Sequence, residues 1–312
     1  MIDIIQKIKS EKMTANSTTG HIPVLLKEVV ENLPIPRGGI LLDGTFGGGG
    51  HSQSIAAATD GPITIVGLDR DGSALQKIRL ELKSLLAKMI LHKANFRNLD
   101  EVLSKEGIVE VDGILLDLGF SSDQLENSGR GFSFQKDEPL IMTLDDKPTE
   151  ESLTARDIVN LWKKENLELI VRNYGEEPQA RKIAEVIVAA RERKSIETSG
   201  QLAEIIFQAL GKRGKIHPAT KTFQAIRIAV NDELGSLSET LPKAFKHLKK
   251  GGRLAVISFH SGEDRIVKQF FKSLADKKEA SKITKKPIMA SFEEIKENPR
   301  SRSAKLRIIE KI

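Results

Sequence analysis

The spacing of apolar positions changes character along the chain. Between residues 40 and 118, short apolar runs alternate with amphipathic stretches. Ile40-Leu41-Leu42 ends in Asp43 beside a cluster of glycines, and the β-branched run at 63–69 ends in Asp69. A third run at 89–92 is followed by Phe96, and a fourth at 111–117 ends in Asp117. Helices are expected over 51–58 and from about 73 to 88. Near-continuous apolar strands alternating with helices predict a parallel sheet covered on both faces. Upstream, His21-Ile22-Pro23-Val24-Leu25-Leu26 leads into a short helix ending near Leu33, where Pro34 and Pro36 stop it.

Beyond Gly119 the pattern breaks. Residues 120–150 are rich in Ser, Gly, Asp and Pro and read as loop, and 153–210 read as helices. Leu202, Ile205, Ile206, Ala209 and Leu210 have the spacing of one buried helical face. Two more helices are expected, roughly 220–233 and 236–248, then a turn at Gly251-Gly252 and a strand over 253–258. A last strand is expected at 304–309. The fold class is therefore α/β, with a helical insertion interrupting one α/β domain.

Composition narrows this little. The 312 residues allow one large domain or two. No apolar run reaches the roughly 18 residues of a membrane span, and residues 1–20 carry no apolar leader and no Arg, so a flexible tail and the cytoplasm are expected. Zero cysteines exclude thiolate metal sites and Cys nucleophiles. The net charge of +6 favours a polyanionic partner.

The candidate chemistry lies at strand ends. In an open parallel sheet, ligands sit at the carboxyl ends of the strands, where Asp43, Asp69 and Asp117 fall. The turn Asp43-Gly44-Thr45-Phe46-Gly47-Gly48-Gly49-Gly50-His51 permits close backbone approach. It has His51 where a phosphate loop needs Lys, and its glycines fit no register of G-x-G-x-x-G. A ligand without phosphate is indicated. S-adenosylmethionine carries a sulfonium and an ammonium, which carboxylates favour. Asp69 suits the ribose hydroxyls and Phe96 the adenine. The methyl acceptor belongs near Asp117-Leu118-Gly119-Phe120, where an acceptor aimed at an exocyclic base amine raises its reactivity. The Pro-Pro-aromatic motif of enzymes that methylate amino groups of DNA bases is missing. His260, at the end of the strand over 253–258, is a second catalytic candidate beside Asp117. His51 and His217 have no metal-ligand spacing, so no metal is expected. Arg191-Glu192-Arg193-Lys194, Lys212-Arg213-Gly214-Lys215 and Arg300-Ser301-Arg302 suit phosphates. Phe132 and Phe134 suit either base stacking or burial in the insertion.

Several segments in order resemble the bacterial 16S ribosomal RNA cytosine-N4 methyltransferase family (RsmH, or MraW). They include His21-Ile22-Pro23-Val24-Leu25-Leu26, Asp43-Gly44-Thr45-Phe46-Gly47, Gly49-Gly50-His51-Ser52, Asp69-Arg70-Asp71, Arg130-Gly131-Phe132-Ser133-Phe134, His217-Pro218-Ala219-Thr220 and Ile257-Ser258-Phe259-His260-Ser261. The resemblance implies a Rossmann-like S-adenosylmethionine-dependent methyltransferase domain over 21–125 and 218–312. It implies an inserted helical substrate-recognition domain over 126–217. The implied reaction is methylation of the N4 amine of a cytosine in the decoding region of small-subunit ribosomal RNA, as naked RNA or in the subunit, in the cytoplasm. The implied donor contacts are Gly49, Gly50, His51, Asp69, Phe96, Asp117 and Gln124. Asp123, Ile141 and Thr143 depart from the family pattern. The oligomeric state, a homodimer included, stays open, as does the group that takes the amine proton. Two other classes fit the residues less well. A non-catalytic RNA-binding protein would lose its donor acids, and a nicotinamide oxidoreductase would need the missing glycine spacing.

Overall fold

The computed structural model describes residues 23–72, 75, 87–119, 128–211 and 217–312. The chain divides into two compact units, one from Met1–Ser121 with Ser236–Ile312, the other Ser122–Gly235.

The first unit is built on a sheet with the order β3-β2-β1-β4-β5-β8-β6, with β7 paired to β8. β1 (Ile40–Asp43), β2 (Thr64–Asp69), β3 (Lys88–Lys93), β4 (Val111–Asp117) and β5 (Leu248–Ser258) run parallel. β6 (Ala280–Lys282), β7 (Ile288–Met289) and β8 (Lys305–Lys311) add antiparallel pairing. Successive residues of the central strands enter opposite cores. Leu42, Val66, Ile114, Leu116 and Val256 enter one, and Leu41, Ile65, Leu115, Ala255 and Ile257 the other. Burial on both faces is why these strands read as unbroken apolar runs.

From β1 the chain winds outward through β2 to β3; from β4 it winds the other way to β5. The carboxyl ends of β1 and β4 therefore flank the point where strand order reverses, where such sheets bind ligands. The helices α1 (Leu26–Asn32), α2 (Gly50–Ala58) and α3 (Leu99–Lys105) belong to this unit.

Gly251-Gly252 is not a free turn. β5 begins at Leu248, pairs with Val111, and its register shifts before Gly113↔Arg253, with Gly251 at φ +78. A bulge takes up the glycines inside the strand. The hairpin strands β6 and β7 are further additions, too short to carry a period.

The second unit holds α4 (Ala155–Leu161), α5 (Lys164–Asn173), α6 (Ala180–Arg191), α7 (Ser199–Leu210) and α8 (Thr220–Asn231). Capping boxes start α4 (Thr154 with Asp157) and α7 (Thr198 with Gln201). Along α7, Leu202, Ala203, Ile206 and Leu210 are buried, while Ile205 and Ala209 sit at the margin. Asp232 at φ +47 separates α8 from α9 (Glu233–His247). Among the described residues, no helix is long and apolar enough to cross a membrane.

Candidate active site

The turn after β1 is braced by short polar side chains. Asp43 is buried, and its carboxylate accepts from Thr45 N (3.1 Å) and from the Ser52 hydroxyl (2.6 Å). Burial pushes the Asp43 carboxyl up from its ordinary range, and the Ser52 hydrogen bond and His51 oppose the rise. The Thr45 hydroxyl accepts from the Asp117 backbone N–H at 2.6 Å, tying the turn to the end of β4. Thr45 and Ser52 did not stand out in the sequence, because a lone hydroxyl beside glycines carries no periodic signal.

The glycines of the turn differ in what they serve. A Cβ on Gly49 would lie 2.8 Å from the Phe46 ring, and one on Gly50 2.5 Å from Pro23. Packing alone therefore excludes a side chain at either position. Gly47 is different. At φ +49 its N–H donates to Asp69 Oδ2 (2.7 Å), and a Cβ there would stand 3.9 Å from that oxygen and 3.8 Å from the Thr45 carbonyl oxygen, at ordinary contact distance. The positive φ, rather than crowding, favours glycine there.

Asp69 ends β2. Oδ2 accepts from Gly47 N, and Oδ1 accepts from Asp71 N at 2.8 Å. A carboxylate offers about four lone-pair positions, so two backbone donors leave it with capacity for two more. Burial is the main reason its pKa rises from 3.8 to about 6, the two N–H bonds opposing. An acid held ionised at neutral pH against that shift costs the fold on the order of 3 kcal/mol.

Phe96 opens the 3₁₀ turn Phe96–Asn98 after β3, and its Cβ lies 3.1 Å from where a side chain on Gly44 would begin. His51 is buried in the first turn of α2. Its Nε2 lies 2.9 Å from the Val24 carbonyl oxygen, which can only accept, so Nε2 carries the proton. In the neutral ring Nδ1 is then an acceptor, 3.7 Å from Asp117 Oδ2. Asp117 Oδ1 accepts from Gly119 N at 3.3 Å. Gly50, His51, Asp69, Phe96 and Asp117 thus gather at the ends of β1, β2, β3 and β4. Gln124 and Asp123 lie outside the described residues, as does the cluster Lys212-Arg213-Gly214-Lys215.

His260 is the N-cap of α10 (Ser261–Asp276). Its Nδ1 accepts from Glu263 N at 3.4 Å. Nε2 lies 3.2 Å from Glu263 Oε1 without hydrogen-bond geometry. Glu263 Oε2 in turn accepts from Phe259 N (2.8 Å). The imidazole is engaged by the cap at the end of β5.

In the second unit, the Arg130 guanidinium donates to the carbonyls of Thr143 (3.0 Å) and Asp145 (2.9 Å) and lies over Phe132. Asn231 accepts from Leu144 N and donates to the Met142 carbonyl, both at 2.8 Å. The loop with Ile141 and Thr143 is therefore held by internal hydrogen bonds. Phe134 packs on His217 (4.5 Å between centroids) and Phe223 (5.1 Å), and the half-exposed Phe207 lies beyond His217 at 5.7 Å. Arg191 Nη1 donates to the Val159 carbonyl (2.9 Å), which gives it a structural part within its basic cluster.

The model of the MraW methylase family matches residues 18–312. The chain belongs to the MraW methylase family. It is a methyltransferase. A relative from Paenibacillus sp. (strain JDR-2), named ribosomal RNA small subunit methyltransferase H, is 44% identical over 94% of this chain and 99% of its own length. One of the same name from Sulfurihydrogenibium sp. (strain YO3AOP1) is 48% identical over 92% and 98%. Among solved structures, a ribosomal RNA methylase from Streptococcus thermophilus is similar at 13% identity and a TM-score of 0.42, over 92% of this chain and 93% of that one.

The residues present fit S-adenosylmethionine. The Asp69 carboxylate, with lone pairs beyond its two backbone hydrogen bonds, has the acceptors that a ribose diol needs. His51 Nδ1 and Asp117 Oδ2 lie 3.7 Å apart at the end of β4. A pH dependence follows. Because the Asp69 carboxyl titrates at about 6 in the folded protein, above its unfolded 3.8, the fold gains stability as pH falls through that window. If the ionised Asp69 holds the donor's ribose, donor binding weakens over the same window. Calorimetry should show the donor Kd rising below pH 6, approaching tenfold per pH unit. The weaker-binding Asp69→Asn variant should lack this break, and a flat wild-type profile from pH 5 to 7.5 would contradict the assignment.

Proposed function

We propose that this enzyme methylates the exocyclic N4 amine of a cytosine in the decoding region of small-subunit ribosomal RNA. The methyl donor is S-adenosylmethionine. The single observation that carries the site assignment is the half-buried Asp69 carboxylate at the end of β2, its pKa raised to about 6, which accepts two backbone N–H groups and has lone pairs left over. We assign Gly49, Gly50, His51, Asp69, Phe96 and Asp117, together with Gln124, to the donor. The names of the relatives support the RNA substrate, and the cytoplasm is where such a substrate is met.

The donor supplies a methyl group on a sulfonium, open to in-line attack. This chain's residues then have two tasks. The first is to hold both reactants in line, which is worth much of the rate. Asp69 fixes the ribose, Phe96 packs on the adenine, and Thr45 locks the end of β4 to the turn. The second is to raise the reactivity of an amine whose lone pair is delocalised into the base. Asp117, at the switch point, accepts from an amine N–H and draws that lone pair out of conjugation. His51 Nδ1 beside it is a further acceptor for the departing proton. His260, through its helix cap, sets the backbone at the end of β5. A target base must be unpaired or flipped to enter, and we assign RNA recognition to the inserted helical region.

The experiment is transfer of tritiated methyl to purified ribosomal particles and their RNAs. Label is expected on small-subunit RNA. Label confined to large-subunit RNA or transfer RNA would overturn the substrate.

A further inference from the structure

We propose that Glu294 is a positioning residue for His51, acting through the single peptide unit that joins Val24 to Leu25. This rests on the donor-site reading above.

The carbonyl of Val24 and the N–H of Leu25 are the two polar ends of one amide. The carbonyl accepts from His51 Nε2 at 2.9 Å, and the N–H donates to Glu294 Oε1 at 2.7 Å. The amide is gripped from opposite sides by residues far apart in sequence. A carboxylate on the N–H polarises the amide and strengthens its carbonyl as an acceptor. The proton on His51 Nε2 is thereby held, and Nδ1 keeps its lone pair on the Asp117 side, 3.7 Å from Oδ2.

The local backbone gives this grip a purpose. Leu25 is fully buried and adopts φ +54, ψ +34, a left-handed conformation that leucine rarely takes. It precedes α1 without any side-chain cap. Without an acceptor, its N–H would be a buried, unpaired donor, and rotation of that amide would swing the Val24 carbonyl away from His51. Glu294 is presented by the short helix α11 (Phe292–Glu297), whose Ser291 N-cap accepts from Glu294 N at 3.1 Å. Glu28, His51 and Glu297 are the other charged or titratable groups that act on its carboxyl. Nothing in the methyl-transfer chemistry requires a carboxylate here, and the C-terminal region thus acquires a part in the active site.

The test is the ring nitrogen spectrum of His51 in donor-free, ¹⁵N-histidine-labelled protein, assigned by the signal lost in His51→Asn. Wild type should show a protonated Nε2 and an unprotonated Nδ1. Glu294→Gln keeps an acceptor oxygen and should retain these shifts. Glu294→Ala should move them toward a tautomer mixture, and its turnover should fall roughly tenfold with KM for RNA little changed. If Glu294→Ala does not fold, Glu294→Asp, which draws the acceptor back by one methylene, should move the shifts in the same direction. Wild-type shifts in a folded Ala or Asp variant would overturn the proposal. So would a folded Gln variant whose shifts match a displaced Ala. Because the spectrum needs neither donor nor RNA, its outcome is separate from that of the transfer assay.

Discussion

Asp69→Ala is expected to weaken donor binding by about 10²- to 10⁴-fold. Two hydrogen bonds from ribose hydroxyls to an ionised carboxylate are each worth roughly 1.5–3 kcal/mol when solvent is excluded. The variant also frees the N–H groups of Gly47 and Asp71, which now hold the turn against the carboxylate. The donor-free fold should barely suffer. Removing a buried acid whose pKa has been raised to about 6 relieves a penalty comparable to the bonds lost. Calorimetry and thermal denaturation together separate these effects: affinity collapses while Tm moves by a few degrees at most. An Asp69→Ala variant with unchanged donor affinity would overturn the ribose assignment. Loss of folding would instead make Asp69 a structural residue.

Asp117→Asn should act on turnover. The amide still offers an oxygen to Gly119 N, so the turn after β4 keeps its shape. It no longer offers a negative charge to an amine N–H or to His51. Removing one well-placed acceptor of this kind costs about 10²–10³ in rate. With saturating donor and RNA, kcat should fall by at least 100-fold and donor affinity by no more than about tenfold. The reverse split, with donor affinity lost and turnover kept, would confine Asp117 to donor binding.

Several of these parts were legible in the sequence for identifiable reasons. The central strands showed as apolar runs because Leu41 and Leu42, Ile65 and Val66, and Leu115 and Leu116 feed opposite cores. Asp43, Asp69 and Asp117 stood out because a carboxylate ending an apolar run is conspicuous. Their separate tasks were not visible. Asp43 braces Thr45 and Ser52, while Asp69 accepts from the backbone of Gly47 and Asp71 and has lone pairs left over, and only the partners of each acid tell the two apart. The glycines were likewise readable as a group and not individually: Gly49 and Gly50 make room for Phe46 and Pro23, while Gly47 borders the carboxylate. His260 drew notice by its place at a strand end, and that place is also where a helix needs a cap. The grip of Glu294 on Leu25 spans 269 residues and leaves no local pattern at all.

The most direct test of the proposed reaction is mass spectrometry of nucleosides from small-subunit RNA incubated with enzyme and isotopically labelled donor. The predicted result is labelled N4-methylcytidine at one position, within an RNase fragment from the decoding region. Label in 5-methylcytidine, in a 2′-O-methyl nucleoside or on adenosine would contradict the assignment of an exocyclic cytosine amine as the acceptor.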